Sequence, residues 1–122
     1  MRGNLAEGQS SHAEGCGTKA LGVGSHAEGG ADSISTFTIA EGNYSHAEGE
    51  GTTAKEFGSH SEGCYTVAEG RGSHSEGDQT KAKGNYSHTE GSNTIAYGFS
   101  SHAEGSNTIA HGADSHAEGY GQ

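Results

Sequence analysis

The sequence predicts an all-β fold, a parallel β-solenoid (β-roll) wound from 14-residue coils with two short strands in each. Three observations lead there. The pentapeptide Ser-His-Ala-Glu-Gly begins at Ser11, Ser25, Ser45, Ser101 and Ser115, and close variants begin at Ser59, Ser73 and Ser87, in steps of 14 residues with a single step of 20. Each 14-residue unit divides into two similar halves, Ser-His-Ala-Glu-Gly-x-x and Thr-x-Ala-x-Gly-x-x. Large apolar side chains are scarce: Leu, Ile, Val and Phe together number 11 of 122 residues, beside 23 Gly and no Pro or Trp.

The strand assignment follows from the order within a half. Places one and three are Ser, Thr or Ala, and place five is Gly except at Glu56. Alternation at period two that ends in Gly is the pattern of a short strand and a turn. A period of seven also fits a coiled coil, but a heptad needs two large apolar places and does not tolerate Gly in every repeat. The small residues of places one and three are expected to point inward, their hydroxyls bonded to one another or to carbonyls, with Gly at the corners. Stacked at about 4.8 Å per coil, the repeats make a rod roughly 35–40 Å long. The repetitive domain fills the chain from about Leu5 to Gly119, and the one long step holds a six-residue insertion, Asp32, Ser33, Ile34, Ser35, Thr36 and Phe37.

So few apolar groups with a net charge of −10 would read as disorder without this regularity. Even a regular coil of this kind buries little apolar surface, so association into an oligomer is expected. Six Lys and Arg against 16 Asp and Glu make nucleic acid an improbable partner. No apolar run is long enough to insert in a membrane or resembles a signal peptide; a surface location would require an export signal on a longer parent chain or release by lysis. Cys16 and Cys64 form neither a disulfide framework nor a metal-ligand spacing, and their places lie three coils apart.

Ser-x-Ala-x-Gly and Thr-x-Ala-x-Gly in tandem resemble the head repeats of trimeric autotransporter adhesins. The Ser-His-Ala-Glu-Gly form resembles repeats in phage tail-fibre and prophage proteins of Gram-positive bacteria. The resemblance implies a left-handed parallel β-roll, three chains to a head, and an extracellular place on a bacterial surface or a virion. The second half departs from the apolar strand common in adhesin heads, with Lys19, Ile39, Thr53, Val67, Lys81, Ile95 and Ile109 at its second place.

Two columns could carry chemistry. His12, His26, His46, His60, His74, His88, His102 and His116 share one outward place, and Glu14, Glu28, Glu48, Glu62, Glu76, Glu90, Glu104 and Glu118 share another on the same face. Such pairs could bind a metal ion, run acid–base chemistry, or hydrogen-bond to a partner chain. A catalytic site is ordinarily one constellation in a pocket and not eight equal copies, so the columns are read as structural and interfacial, with no catalytic residue, metal or other cofactor assigned. The insertion could be a receptor-contact loop or a tolerated bulge. Tyr44, Tyr65, Tyr86, Phe57 and Phe99 fall near coil corners, where aromatics cover edges or stack on sugars.

The expected function is that of a non-catalytic structural or adhesive rod, one subunit of a homotrimeric surface or phage-fibre head, with itself and a host receptor or glycan as partners. The alternative is a self-assembling filament subunit, because uncapped solenoid ends of complementary phase could stack head to tail.

Overall fold

The computed structural model describes residues 3–30 and 36–121. Among these there are sixteen strands and no helix, and the strands lie in two eight-stranded sheets. The first sheet holds the second halves of the units: β1 (Leu5–Ala6), β3 (Thr18–Ala20), β5 (Thr38–Ala40), β7 (Thr53–Ala54), β9 (Val67–Ala68), β11 (Lys81–Ala82), β13 (Ile95–Ala96) and β15 (Ile109–Ala110). The second holds the first halves: β2 (His12–Cys16), β4 (His26–Gly30), β6 (His46–Glu50), β8 (His60–Cys64), β10 (His74–Ser75), β12 (His88–Ser92), β14 (His102–Ser106) and β16 (His116–Tyr120). Each strand pairs in parallel with the strand two further along the chain. The chain therefore winds a β-solenoid of about eight turns, as the repeat predicts.

Register is uniform. His12 pairs with His26, Ala13 with Ala27 and Glu14 with Glu28, and the long step keeps the same partners, since His26 pairs with His46 and Thr18 with Thr38. The insertion thus leaves the chain at the corner between β4 and β5. Asp32, Ser33, Ile34 and Ser35 lie outside the described residues. Cys16 reaches Cys64 only through Gly30 and Glu50, a separation of about 14 Å at ordinary strand spacing. A disulfide needs Cα atoms within about 7 Å, and both cysteines are unbridged.

Successive side chains of a strand point to opposite faces, so places one and three turn inward. Ala20, Ala27, Ala40, Ala47, Ala54, Ala68, Ala82, Ala96, Ala103 and Ala110 are buried, together with the place-one Thr and the place-one Ser from Ser25 to Ser101. Among the described residues no fully buried side chain is larger than threonine. The buried hydroxyls are placed where carbonyls need them. Ser25, Ser45, Ser73, Ser87 and Ser101 donate to the glycine carbonyl three residues back at 2.6–2.8 Å. Thr52, Thr66, Thr80, Thr94 and Thr108 donate across the interior to the carbonyls of Glu48, Glu62, Glu76, Glu90 and Glu104 at 3.0–3.3 Å. Where Ser or Thr replaces Ala at place three, the hydroxyls meet each other: Ser61 with Thr66 at 2.7 Å, and Ser75 with both Thr80 and Thr89 at 2.8 and 2.9 Å.

The expectation that place-five glycines form the corners holds in the second halves, where Gly22, Gly42, Gly70, Gly84, Gly98 and Gly112 open the turns, and is corrected for the first halves. In the first halves these glycines sit within the strand, except Gly77, which lies two residues past the end of β10. They are required by close stacking: Gly49 has φ +106°, and a Cβ added there would run into the carbonyl oxygen of Gly63 in the next coil. The left-handed corner residue is at place seven. It is Gly in some coils, and elsewhere Ser10, Tyr44, Tyr65, Gln79, Tyr86, Asn93, Ser100, Asn107 or Asp114, with φ of 54–60°.

Replacing Gly49 and Gly58 should separate the two glycine roles. Gly58 lies at φ +64° with open space where a Cβ would go, so Gly58→Ala should cost only the left-handed penalty of about 1–2 kcal/mol. Gly49→Ala meets backbone and should cost about 4 kcal/mol or more, or prevent folding. Thermal melts of the two variants followed by circular dichroism check the order; equal losses would contradict it.

Candidate functional site: a histidine–glutamate ladder

Places two and four of the first halves point outward from the second sheet. In-register pairing therefore stacks every His on the His of the next coil and every Glu on the next Glu. From His26 to His116 the imidazole rings stack at centroid separations of 4.7–4.8 Å and tilt by no more than 8°. His12, at the open end, meets His26 edge-on at 65°. The column is half-buried: the His60 side chain keeps 34% of its exposure and Glu62 keeps 29%.

From His26 onward each ring nitrogen Nε2 reaches a carboxylate of the coil before, and the ladder divides into two parts. His74, His88, His102 and His116 hydrogen-bond through Nε2 to Glu62, Glu76, Glu90 and Glu104 at 3.2–3.4 Å. The other part holds Nε2 between two carboxylates. His26 lies 3.5 Å from Glu14 and 3.6 Å from Glu28, His46 lies 3.5 Å from Glu28 and 3.4 Å from Glu48, and His60 lies 3.6 Å from Glu48 and 3.5 Å from Glu62. These three Nε2 atoms are covered from solvent and make no well-aligned hydrogen bond to either carboxylate. Glu28 and Glu48 each give one oxygen to the histidine of their own coil and the other to the histidine of the next.

Burial sets the electrostatics of the column. The His60 imidazole titrates below its ordinary value, first because burial disfavours the charged ring and then because His74 would be a like charge; Glu48 and Glu76 pull the other way. His74 is lowered for the same reasons, with His88 as the like charge and Glu48, Glu76 and Glu90 opposing. Burial pushes the Glu76 carboxyl up, but hydrogen bonds with Glu62 and His88 and the charges of His74 and His88 outweigh it and leave the group below its ordinary range. The hydrogen bond from His116 holds Glu104 low, aided by the charges of His102 and His116.

The ladder assembles all sixteen His and Glu places that the repeat singles out. Of the insertion, the two described residues lie apart from the ladder: Thr36 packs its methyl group near Gly51, and the Lys19 ammonium lies 3.9 Å above the Phe37 ring. The corner aromatics form two like pairs, Tyr44 with Phe57 and Tyr86 with Phe99, each T-shaped at 5.5 Å. Arg71 lies over Phe57 at 4.5 Å. The sequence reading missed a ninth histidine: His111 stacks on Tyr97 at 5.2 Å, with Lys83 on the other side of that ring. Its signal was the 14-residue spacing of 97 and 111, hidden because the place holds no repeated residue type.

No protein-family model matches the chain, and a search of curated proteins returned no match.

Acid should destabilise the fold. His60 and His74 bind a proton more readily unfolded than folded. Their contribution is complete above the unfolded value of about 6.5 and falls as pH drops below it. Glu76 and Glu104 are shifted low, so their contribution is lost at still lower pH, through the carboxylate range. The melting temperature in chelator-treated buffer should fall from pH 7.5 to pH 5 and fall further towards pH 3. His74→Gln should flatten the first part of the decline. A melting temperature that rises between pH 7.5 and 5 would reverse the assignment.

Proposed function

We propose that this chain is a non-catalytic structural or adhesive rod, one subunit of a homotrimeric, left-handed β-roll head on a bacterial surface or phage fibre. The observation that carries the reading is the interior. Only Ala, Ser and Thr side chains are fully buried among the described residues, so the coil removes little apolar area from water and gains from covering its faces by association. Apolar groups left outside point the same way, with Tyr44, Tyr86 and Phe99 exposed at the corners and Ile109 on the outer face of the first sheet.

The His/Glu face is the one assigned to partner chains. It repeats the same two residue types along the stack, which suits a threefold contact that must match along its length. The opposite face changes from Lys19 to Ile39, Thr53, Val67 and Lys81, which suits solvent. Eight nearly equal copies of one pair, each flanked by its like, argue for a repeated contact and against a reaction centre. A receptor or glycan of the host is the external partner of such a rod, met through the corner aromatics or the rim insertion.

Native mass spectrometry at micromolar concentration should find three chains per particle; a folded monomer would overturn the trimer. His74→Ala should lower trimer melting clearly, and Lys81→Ala hardly at all. The reverse order would place the variable face at the threefold contact. Electron micrographs should show short rods.

A further inference from the structure

We propose that the ladder segment around His26, His46 and His60 is a binding site for divalent transition cations of the zinc class. The donors are the right ones, neutral imidazole nitrogen with carboxylate oxygen, a set that suits zinc and its neighbours better than calcium or magnesium. Their spacing is close to what such an ion needs. Tetrahedral bonds of about 2.0–2.1 Å hold donor atoms about 3.3–3.4 Å apart, and each of these Nε2 atoms stands 3.4–3.6 Å from one oxygen of its own coil and one of the coil before. Successive groups such as His26, Glu28 and His46 have their ligand atoms within 4.8 Å of one another.

A second observation singles out this segment. Polar atoms buried without a hydrogen bond are uncommon, and an ion is one of the few things that accounts for them. The Nε2 nitrogens of His26, His46 and His60 are covered from solvent and lack a well-aligned hydrogen bond. The same ladder at His74, His88, His102 and His116 spends Nε2 on a hydrogen bond to one glutamate. One segment is thus poised between two carboxylates, and the other is already satisfied. The chain's charge of −10 draws cations to either.

Occupancy is limited by repulsion. Neighbouring positions are one coil apart, at the 4.7–4.8 Å spacing of the rings, and share the carboxylate between them. Two doubly charged ions that close are not neutralised by one shared glutamate, so alternate positions fill, at His26 and His60, with water completing the coordination. Two ions per chain is the expected stoichiometry. Every protein donor comes from one chain, so the site does not depend on the trimer, although it lies on the face assigned to it.

Isothermal titration of chelator-stripped, full-length protein with zinc chloride at pH 7.5 tests the site, with native mass spectrometry of the same samples counting chains and ions separately. The wild type should take up two zinc ions per chain, and cobalt in their place should give the visible bands of tetrahedral coordination. The triple variant His26→Gln, His46→Gln, His60→Gln should bind zinc at least about 100-fold more weakly, while His88→Gln, His102→Gln, His116→Gln should retain both ions. Equal loss in the two variants, or loss in neither, would overturn the assignment. Should the first variant not fold, the wild type decides: zinc retained against a thousandfold excess of calcium supports the site, and no uptake or displacement by calcium refutes it. A monomer that binds two ions would overturn the trimer and leave the site standing; a trimer that binds none would do the opposite.

Discussion

The interior of this solenoid is so thin that nothing larger than a threonine side chain is fully buried among the described residues, and most of the structure follows from that limit. Apolar burial is limited to the methyls of alanine and threonine, with alanine clusters around Ala40 and around Ala103. Between them the interior is mixed, with Ser61, Ser75 and Thr89 at places where the flanking coils carry alanine, facing buried Ala68 and Ala82. Cohesion along the axis must come from backbone ladders and from hydroxyls that close on carbonyls, because burial alone supplies too little. The same thinness sends every large or charged side chain outward, where parallel register converts each place into a column.

Columns of like residues bring an electrostatic problem. Carboxylates facing each other across adjacent strands repel, and here they recur in every coil. The ladder answers by interleaving. Each glutamate has an imidazole within 3.2–3.6 Å over most of the stack, and the rings themselves stack face to face. A neutral imidazole separates two negative groups without adding a like charge. Burial, by lowering His60 and His74, favours the neutral form of these two rings at the middle of the column.

The sequence makes much of this legible, for specific reasons. Period-two alternation of small residues identifies what points inward, and thus Ala47 and Thr52 as interior and His46 and Glu48 as exterior. The 20-residue step identifies an insertion and, by the unchanged motif on either side, the retained register. The corners are not legible. Their left-handed residue is Gly58 in one coil, Tyr65, Gln79 or Asp114 in others, so the geometry leaves no single residue type to find. Nor does the pattern show that a histidine reaches the glutamate of the coil before. It gives no hint that His46 and His102, identical in their pentapeptides, differ in hydrogen bonding; that difference arises from side-chain placement within a common backbone.

The corner between β4 and β5 accepts six residues more than its counterparts, yet Thr18 still pairs with Thr38 and Gly30 with Glu50. The coil is held by what lies on its two sheets, and the rim only has to return the chain to the next strand. Length at the rim is therefore free to vary while pitch is not. Sequences of this design can change their outline, coil by coil, by insertion and deletion at place seven, and a foreign peptide spliced into the same corner would be displayed at a fixed height on an unaltered shaft.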